Sequence, residues 1–255
     1  MPVERTRDNY TEVITINRPE ARNAIDGATS AALASAFEEL EGDDGIRAVV
    51  LTGSGDKAFS AGMDLKAFAA GEMGDITQSP GGFAGFTRRA FPKPIIAAVN
   101  GAALAGGFEM VLACDLIVAA DHAVFGIPEV KRGLVAGAGG LIRLQTRLPL
   151  SVALELALTG ETIGAERALE LGLVNRVVPA DQLLPEALKL AATICSNAPV
   201  AVRTSKRVMR EACARPESEG WELTDQAVGE VFSTQDAMEG AIAFAEKRPP
   251  SWKGR

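Results

Sequence analysis

This chain of 255 residues has one histidine, one tyrosine and two tryptophans, and aromatics make up only 5% of it. One histidine cannot build a histidine-rich metal centre, and no histidine–cysteine cluster supports any other. His122 follows the apolar stretch "DLIVAAD", which points to a structural role rather than a catalytic one. The three cysteines, Cys114, Cys195 and Cys213, show no metal spacing and no even disulfide framework, so they read as buried free thiols. The opening "MPVERTRDNY" contains no apolar signal region. The longest apolar run, Ile95–Ala120, is broken by Asn100, Glu109, Asp115 and three glycines before Glu109, which suits a buried strand–turn–helix better than a membrane span. Positive charge is also short: a net charge of -7 argues against a general binder of nucleic acid or anionic membrane. There is no internal repeat and no low-complexity tract. A soluble, cytoplasmic protein with neither nucleic acid nor membrane as partner is the expectation.

At 47% hydrophobic and 23% charged residues the composition is that of a globular domain. At this length roughly 75% of the unfolded chain's surface can be buried on folding. "TEVITIN" (Thr11–Asn17) alternates polar and β-branched residues and reads as a strand. "RAVVLTG" (Arg47–Gly53) is more continuously apolar and reads as a strand buried on both faces. "PIIAAVN" (Pro94–Asn100) and "DLIVAAD" (Asp115–Asp121) are two more. Between the first two, Thr29–Leu40 is a helix by propensity. Strands alternating with helices indicate an α/β fold. Beyond about Ala180 the pattern is helical: Asp181–Ser196, Pro199–Ala214, Trp221–Phe232 and Gln235–Lys247, with Ser233 or Thr234 as N-cap of the last. Residues 1–197 are therefore expected to form an α/β core and 198–255 a helical C-terminal region.

The stretch "AALAGGFEM" sets Glu109 in apolar surroundings just past two glycines. A buried charge is costly without partners. A strand ends near Asn100, a glycine-bearing turn follows, and Phe108–Ala113 is helical in composition. Gly106 then offers an unpaired N–H at the positive end of a helix, with Glu109 one turn on along the same face. A structural reading stands beside this one: glycines for strand–helix packing, and Glu109 paired to an arginine. Two further glycine-bearing segments favour a site. "AFSAGMDLKAF" (Ala58–Phe68) follows a strand, where α/β proteins place ligand sites. "FGIPEVKRGLVAGAGGLIRL" (Phe125–Leu144) brings Glu129 and then a turn, Gly137–Gly140, leading into helix-like sequence.

These segments, with "ITINRPEARNAID" (Ile14–Asp26), "KPIIAAVNGAALAGGFEMVLACDLIVAA" and the terminal "FAEKRPPSW" (Phe244–Trp252), resemble the crotonase (enoyl-CoA hydratase/isomerase) superfamily over essentially the whole chain. The resemblance implies a spiral of ββα units, a C-terminal helical trimerisation region giving a homotrimer or dimer of trimers, and an acyl-CoA substrate whose coenzyme A is its only cofactor-like part. By motif, the backbone N–H groups of Met63 and Gly106 would form an oxyanion hole. Methionine stands at Met63 in place of the usual small residue, and its side chain can narrow the pocket. Ala105 replaces a glycine common in relatives and leaves the Gly106 donor intact. The family's hydratases use two glutamates, here Glu109 and Glu129. The segments around Arg22, Ala24 and Ile25 and around Ala61, Asp64 and Leu65 would line the coenzyme A nucleotide, with Lys66 near its phosphates. Phe244 and Lys247 would reach the adenine or phosphates, across to a neighbouring subunit. Solvated surface charge is the alternative for each cation, and Asp64 and Asp115 read as holding loops and helix ends rather than as catalytic.

The chemistry suits those residues. Adding water to a 2-enoyl thioester needs a base for the water, an acid for the α-carbon, and donors for the charge that develops on the thioester oxygen. Losing one such donor typically costs about 3–4 kcal/mol in the barrier. Two carboxylates beside one water in a dry pocket cannot comfortably both be ionised, so one holds a proton. The Gly137–Gly140 turn is a further source of N–H groups to hold the water. The segment Lys66–Phe91 is the expected wall of the acyl pocket. A serine hydrolase is disfavoured, since "AFSAG" around Ser60 lacks the first glycine of a nucleophile elbow. Neither "GAGGLIR" nor "GSGDKAF" completes a nucleotide fingerprint. Two alternatives to hydration stand: another reaction on the same scaffold (isomerisation, dehydration, hydrolysis or decarboxylation of an acyl-CoA), or a catalytically silent acyl-CoA-binding, RNA-binding or assembly protein. Paired glutamates argue against silence, and the acidic balance against RNA.

Overall fold

The structure, a computed structural model, describes residues 1–71, 73–79, 81–213 and 215–255. The chain opens with β1 (Val3–Asp8) and β2 (Thr11–Ile16), an antiparallel pair with Val3 opposite Ile16. Helix α1 (Gly27–Gly42) follows, started by Asp26, whose carboxylate accepts from Thr29 N at 2.8 Å. Next come β3 (Ala48–Gly53), β4 (Ala58–Ser60), α2 (Leu65–Ala69) and α3 (Met73–Thr77). Then β5 (Ile95–Val99), β6 (Ala102–Leu104) and α4 (Gly106–Ala113) lead to β7 (Leu116–Ala120) and β8 (Val124–Gly126). The body continues with α5 (Gly140–Arg147), α6 (Leu150–Thr159), β9 (Thr162–Gly164), α7 (Ala165–Glu170), β10 (Arg176–Val178) and α8 (Leu183–Cys195).

The strands fall into two sheets, one in the order β1-β2-β3-β5-β7-β10 and the other β4-β6-β8-β9. Each of the pairs β3/β4, β5/β6 and β7/β8 gives its first strand to the larger sheet and its second to the smaller, and a helix follows. The expected spiral of ββα units is thus present. All pairings in the larger sheet except β1–β2 are parallel.

Both faces of the larger sheet are covered, which is why β5 and β7 are apolar throughout and β3 nearly so. Ile14, Val49, Leu51, Ala97 and Ile117 turn to the side of α1, where Leu33, Phe37 and Leu40 pack. Val13, Val50, Ile96, Ala98 and Val118 turn to the other side, under Leu183, Ala187, Ala191 and Cys195 of α8. The spacing of four in α8 lines one helical face. The period-two alternation read in Thr11–Asn17 does not separate a wet face from a dry one, because Thr11 and Glu12 are buried too. Glu12 is compensated by Arg5 Nε at 2.8 Å.

Three helices close the chain: α9 (Pro199–Ala212), α10 (Glu217–Phe232) and α11 (Gln235–Glu246). The expected end of α9 at Ala214 falls outside the described residues, as do Glu72 and Pro80 of the anticipated acyl wall. Helix α10 starts at Glu217 rather than Trp221, because Glu217 and Glu219 in its first turn suit the positive end of a helix. Thr234, not Ser233, caps α11, accepting from Ala237 N at 3.1 Å. Asp115 ties α9 to the body, pairing with Lys206 and Arg210, each at 2.7 Å, while its backbone neighbourhood starts β7. Cys114 and Cys195 are buried as expected, but Cys213 is exposed at the end of α9. No helix of the described residues is long and apolar enough to cross a membrane.

Candidate active site

Two backbone turns meet where the sheets deliver their chain ends. After β4, residue Met63 forms a parallel bridge with Ile25. Ile25 N donates to Gly62 O at 2.8 Å and Asp64 N to Ile25 O at 2.9 Å, so Met63 is held on both sides while its own N–H points elsewhere. After β6, Ala105 takes φ 51° and ψ -131°, turning the chain sharply into α4 with Gly106 as its first residue. Gly62, at φ +87°, lies directly against this turn: a Cβ there would sit 2.7 Å from Gly106 N. Gly107 is equally pressed, since its Cβ would meet Ser60 O at 2.0 Å. Neither Met63 N–H nor Gly106 N–H has an acceptor among the described residues. The Gly106 amide also sits at the positive end of α4. The ring of Phe83 covers Gly106, 2.7 Å from where a Cβ would be.

Glu109 stands one turn into α4 and is buried, at 3% exposure. No arginine among the described residues forms an ion pair with it. Its Oε1 accepts from Ala138 N at 2.7 Å and Gly140 N at 2.8 Å. The Gly137–Gly140 turn, expected to hold a water, therefore spends two of its N–H groups on Glu109. Burial raises the Glu109 carboxyl, opposed by those two donors and by the nearby Arg143 charge. Glu129 lies in the first turn of a short 3-10 segment, Pro128–Arg132, and is also buried. Its Oε2 is out of solvent and has no hydrogen-bond partner among the described residues. Burial first, and then the charge of Glu109, push its carboxyl up to about 7, with its own backbone N–H opposing. An orphaned buried carboxyl oxygen costs less when it carries a proton.

The residues expected around coenzyme A divide into two groups. Arg22 O accepts from Ala61 N at 3.0 Å, and the Ile25–Met63 bridge places Ala24 and Asp64 alongside. Leu65 and Lys66 are exposed at the start of α2. Asp64 is committed to structure: its carboxylate caps α2 through Lys66 N and Ala67 N and pairs with Arg18 at 3.1 Å. Burial raises its carboxyl, but the hydrogen bonds from Arg18 and from Lys66 and Ala67 N, with the Arg18 charge, outweigh it and leave it below the ordinary range. Phe244 and Lys247 are exposed at the end of α11, and no hydrogen bond or ion pair among the described residues links them to the glutamates. Ser60 is buried, its hydroxyl donating to Asn23 O at 2.8 Å, which leaves no nucleophile there. His122 is exposed and bonded to Asp56 O and Asp121. Sequence reasoning missed Arg18, Phe83 and Arg143, whose roles depend on contacts distant in the chain. Among the described residues no group of three or more histidines, cysteines and carboxylates could hold a metal ion.

The fold defines a spiral ββα protein in which two open backbone donors lie on touching turns, one of them at the start of the helix that carries buried Glu109, with Glu129 near enough to feel its charge. A family model described as enoyl-CoA hydratase/isomerase matches residues 7–255. Carnitinyl-CoA dehydratase from Salmonella paratyphi A is 45% identical over 255 residues, covering 98% of this chain and 97% of that protein. The crystal structure of enoyl-CoA hydratase from Mycobacterium tuberculosis H37Rv shares 50% identity and a TM-score of 0.95, covering 100% of this chain and 99% of that chain. That of carnitinyl-CoA hydratase from Mycobacterium avium shares 48% identity and a TM-score of 0.80 over 100% of this chain and 99% of that one. The chain belongs to the enoyl-CoA hydratase/isomerase family of the crotonase superfamily. It is accordingly an enzyme of the hydratase-type lyase class, performing a crotonase-type reaction on an acyl-CoA.

Proposed function

We propose that the protein reversibly adds water to a trans-2-enoyl-CoA, giving a 3-hydroxyacyl-CoA, with Glu109 and Glu129 as its acid–base pair. The observation that carries this is the unequal treatment of two buried carboxyls: Glu109 is held by two backbone N–H groups, whereas Glu129 Oε2 has none. Donors favour the ionised form, and an orphaned site favours the protonated one. In the free enzyme the shared proton therefore rests on Glu129. In hydration Glu109 takes a proton from water as its oxygen bonds to C3 of the acyl chain. The π electrons move toward the thioester, and Met63 N–H and Gly106 N–H receive the charge on its oxygen. Glu129 then delivers its proton to C2. One proton has left water and one has reached carbon, so the net change is water added across the double bond. Transfer of a proton from Glu109 back to Glu129 resets the pair. Dehydration runs the same steps backwards.

The names of the relatives favour a second substrate reading. A carnitinyl-CoA dehydratase and a carnitinyl-CoA hydratase are among them, which favours a carnitinyl-type acyl group as the alternative substrate. A panel of short, long and branched enoyl-CoAs, with the dehydrated form of carnitinyl-CoA beside them, decides by kcat/KM. Loss of the conjugated thioester's ultraviolet absorbance with gain of one water in product mass supports hydration. A product of unchanged mass points to isomerisation, and release of free coenzyme A to hydrolysis.

The coenzyme A nucleotide is assigned to the Arg22–Ile25 and Ala61–Lys66 segments, whose exposed Lys66 ammonium has no partner among the described residues. Phe244 and Lys247 would serve a neighbouring subunit's nucleotide in a homotrimer or dimer of trimers. Large apolar side chains left open on α6, α9 and α10, such as Leu158, Met209 and Phe232, support such an assembly. Residues 198–255 would be its helical assembly region, and residues 1–197 the catalytic core.

A further inference from the structure

Arg143 touches neither glutamate by hydrogen bond, yet it is built into everything that aims Glu109. It is the fourth residue of α5 and is half-buried. Its guanidinium folds back toward the helix start instead of reaching out to solvent. Nη1 donates to Ala138 O at 3.2 Å, and Nη2 donates to Thr87 O. That fold is possible only over a glycine: at Gly139, φ +109°, a Cβ would lie 2.1 Å from Arg143 Nη1. The backbone N of Arg143 also donates to Gly139 O at 3.0 Å. Gly139 C=O and Gly140 N–H belong to one peptide group, and Gly140 N–H is a Glu109 donor. Hydrogen bonds on both ends of a peptide polarise and fix one another.

The other end of the clamp is the acyl wall. Thr87 follows the short 3-10 turn Phe83–Gly85, and Phe83 lies on Gly106. One guanidinium therefore joins the turn that holds Glu109 to the segment that covers an open N–H donor. Resting on the hydratase reading above, we propose that Arg143 is a positioning residue for the reaction: its fork, laid across Gly139 and bonded to Ala138 and Thr87 carbonyls, locks the two N–H groups that aim Glu109 and registers them with the wall over Gly106.

The charges around this arrangement are few. Arg143 from α5 faces Glu109, Glu109 and Arg132 act on Glu129, and Arg210 of α9 and Cys114 act on Arg143. Loosening the Ala138–Gly140 turn removes donors from Glu109 and with them support for its ionised form.

The experiment compares Arg143→Lys and Arg143→Met with Arg147→Lys, a half-buried arginine one turn on that bonds Cys114 O instead. Steady-state kinetics with an enoyl-CoA is paired with infrared titration of carbon-13 carboxyl-labelled protein, the Glu109 band being assigned by loss in Glu109→Gln. Both Arg143 variants are expected to lower kcat by about 100-fold with KM nearly unchanged, and to move the Glu109 midpoint upward. Lysine keeps the charge but cannot span two carbonyls, so it should not restore kcat. Arg147→Lys should leave kcat and midpoint in place. Full rescue by lysine, an equal effect from Arg147→Lys, or a loss of thermal stability without change in kcat or midpoint would each overturn the proposal. If methionine prevents folding, the lysine variant carries the test. If the wild type turns over no enoyl-CoA, the hydratase reading fails. The infrared midpoint then decides alone: a shift in Arg143→Lys upholds the clamp on Glu109, and no shift removes it.

Discussion

At the scale of single residues, two buried glutamates are distinguished by what their oxygens can bond. Each is expected to be needed as an acid or base, a contribution typically of about 10²- to 10⁴-fold. Glu109→Gln and Glu129→Gln should therefore each lower kcat by at least about 100-fold, measured by thioester absorbance. The pH profile of kcat/KM should be bell-shaped: activity falls above about 7 as Glu129 loses the proton it must donate, and falls in acid as Glu109 is protonated. The same shift has a stability consequence with a definite sign. The Glu129 carboxyl is raised in the folded state from an ordinary 4.5 to about 7. Folded protein thus keeps a proton that the unfolded chain has lost within that window, and stability drops as pH rises through it. Glu129→Gln should melt above the wild type at pH 8 and together with it at pH 4, in matched thermal melts. Glu109 was legible in the sequence because a carboxylate in an apolar run demands explanation. Its partners were not, because Ala138 and Gly140 donate through backbone N–H groups that every residue but proline has. Arg143 was hidden for a related reason, since its acceptors are carbonyls, one of them 56 positions away.

At the scale of elements, the glycines beside the open donors are close approaches rather than flexible joints. Gly62→Ala would place a Cβ 2.7 Å from Gly106 N at a positive φ, forcing apart the turns that carry the two open donors. A loss of about 10²- to 10³-fold in kcat is expected, the effect of removing one oxyanion donor. Retention of wild-type kcat in a folded variant would contradict the donor assignment. On the far side of the sheet, Ala187 is fully buried between α8 and the strands. Ala187→Leu should cost about 1–3 kcal/mol by overpacking, read by denaturant titration, without altering the pH profile. The four central strands and most helices were legible because their apolar runs are long and buried on both faces. The smaller sheet was not, because β4, β6, β8 and β9 have three residues each, too few for periodicity. Strand β1 was missed because only Val3 of its six residues is buried, so charge conceals its pairing with β2.

At the scale of the whole molecule, the spiral splits the pairs β3/β4, β5/β6 and β7/β8 between the two sheets, and the turns after β4 and β6 come into contact. The apolar side chains left open on α6, α9 and α10 belong to this scale. Light scattering should give about three or six times the 26.6 kDa of one chain. A mass of one chain would remove the assembly proposal and with it the role of Phe244 and Lys247 across subunits. Addition of water by the Glu109–Glu129 pair is decided by mixing the purified protein with a trans-2-enoyl-CoA panel that includes the dehydrated form of carnitinyl-CoA, and recording absorbance and product mass with Glu109→Gln and Glu129→Gln alongside. The expected result is loss of the conjugated absorbance, a product heavier by one water, and severe impairment of both variants. Conversion without gain of water, or full activity in either variant, would contradict it.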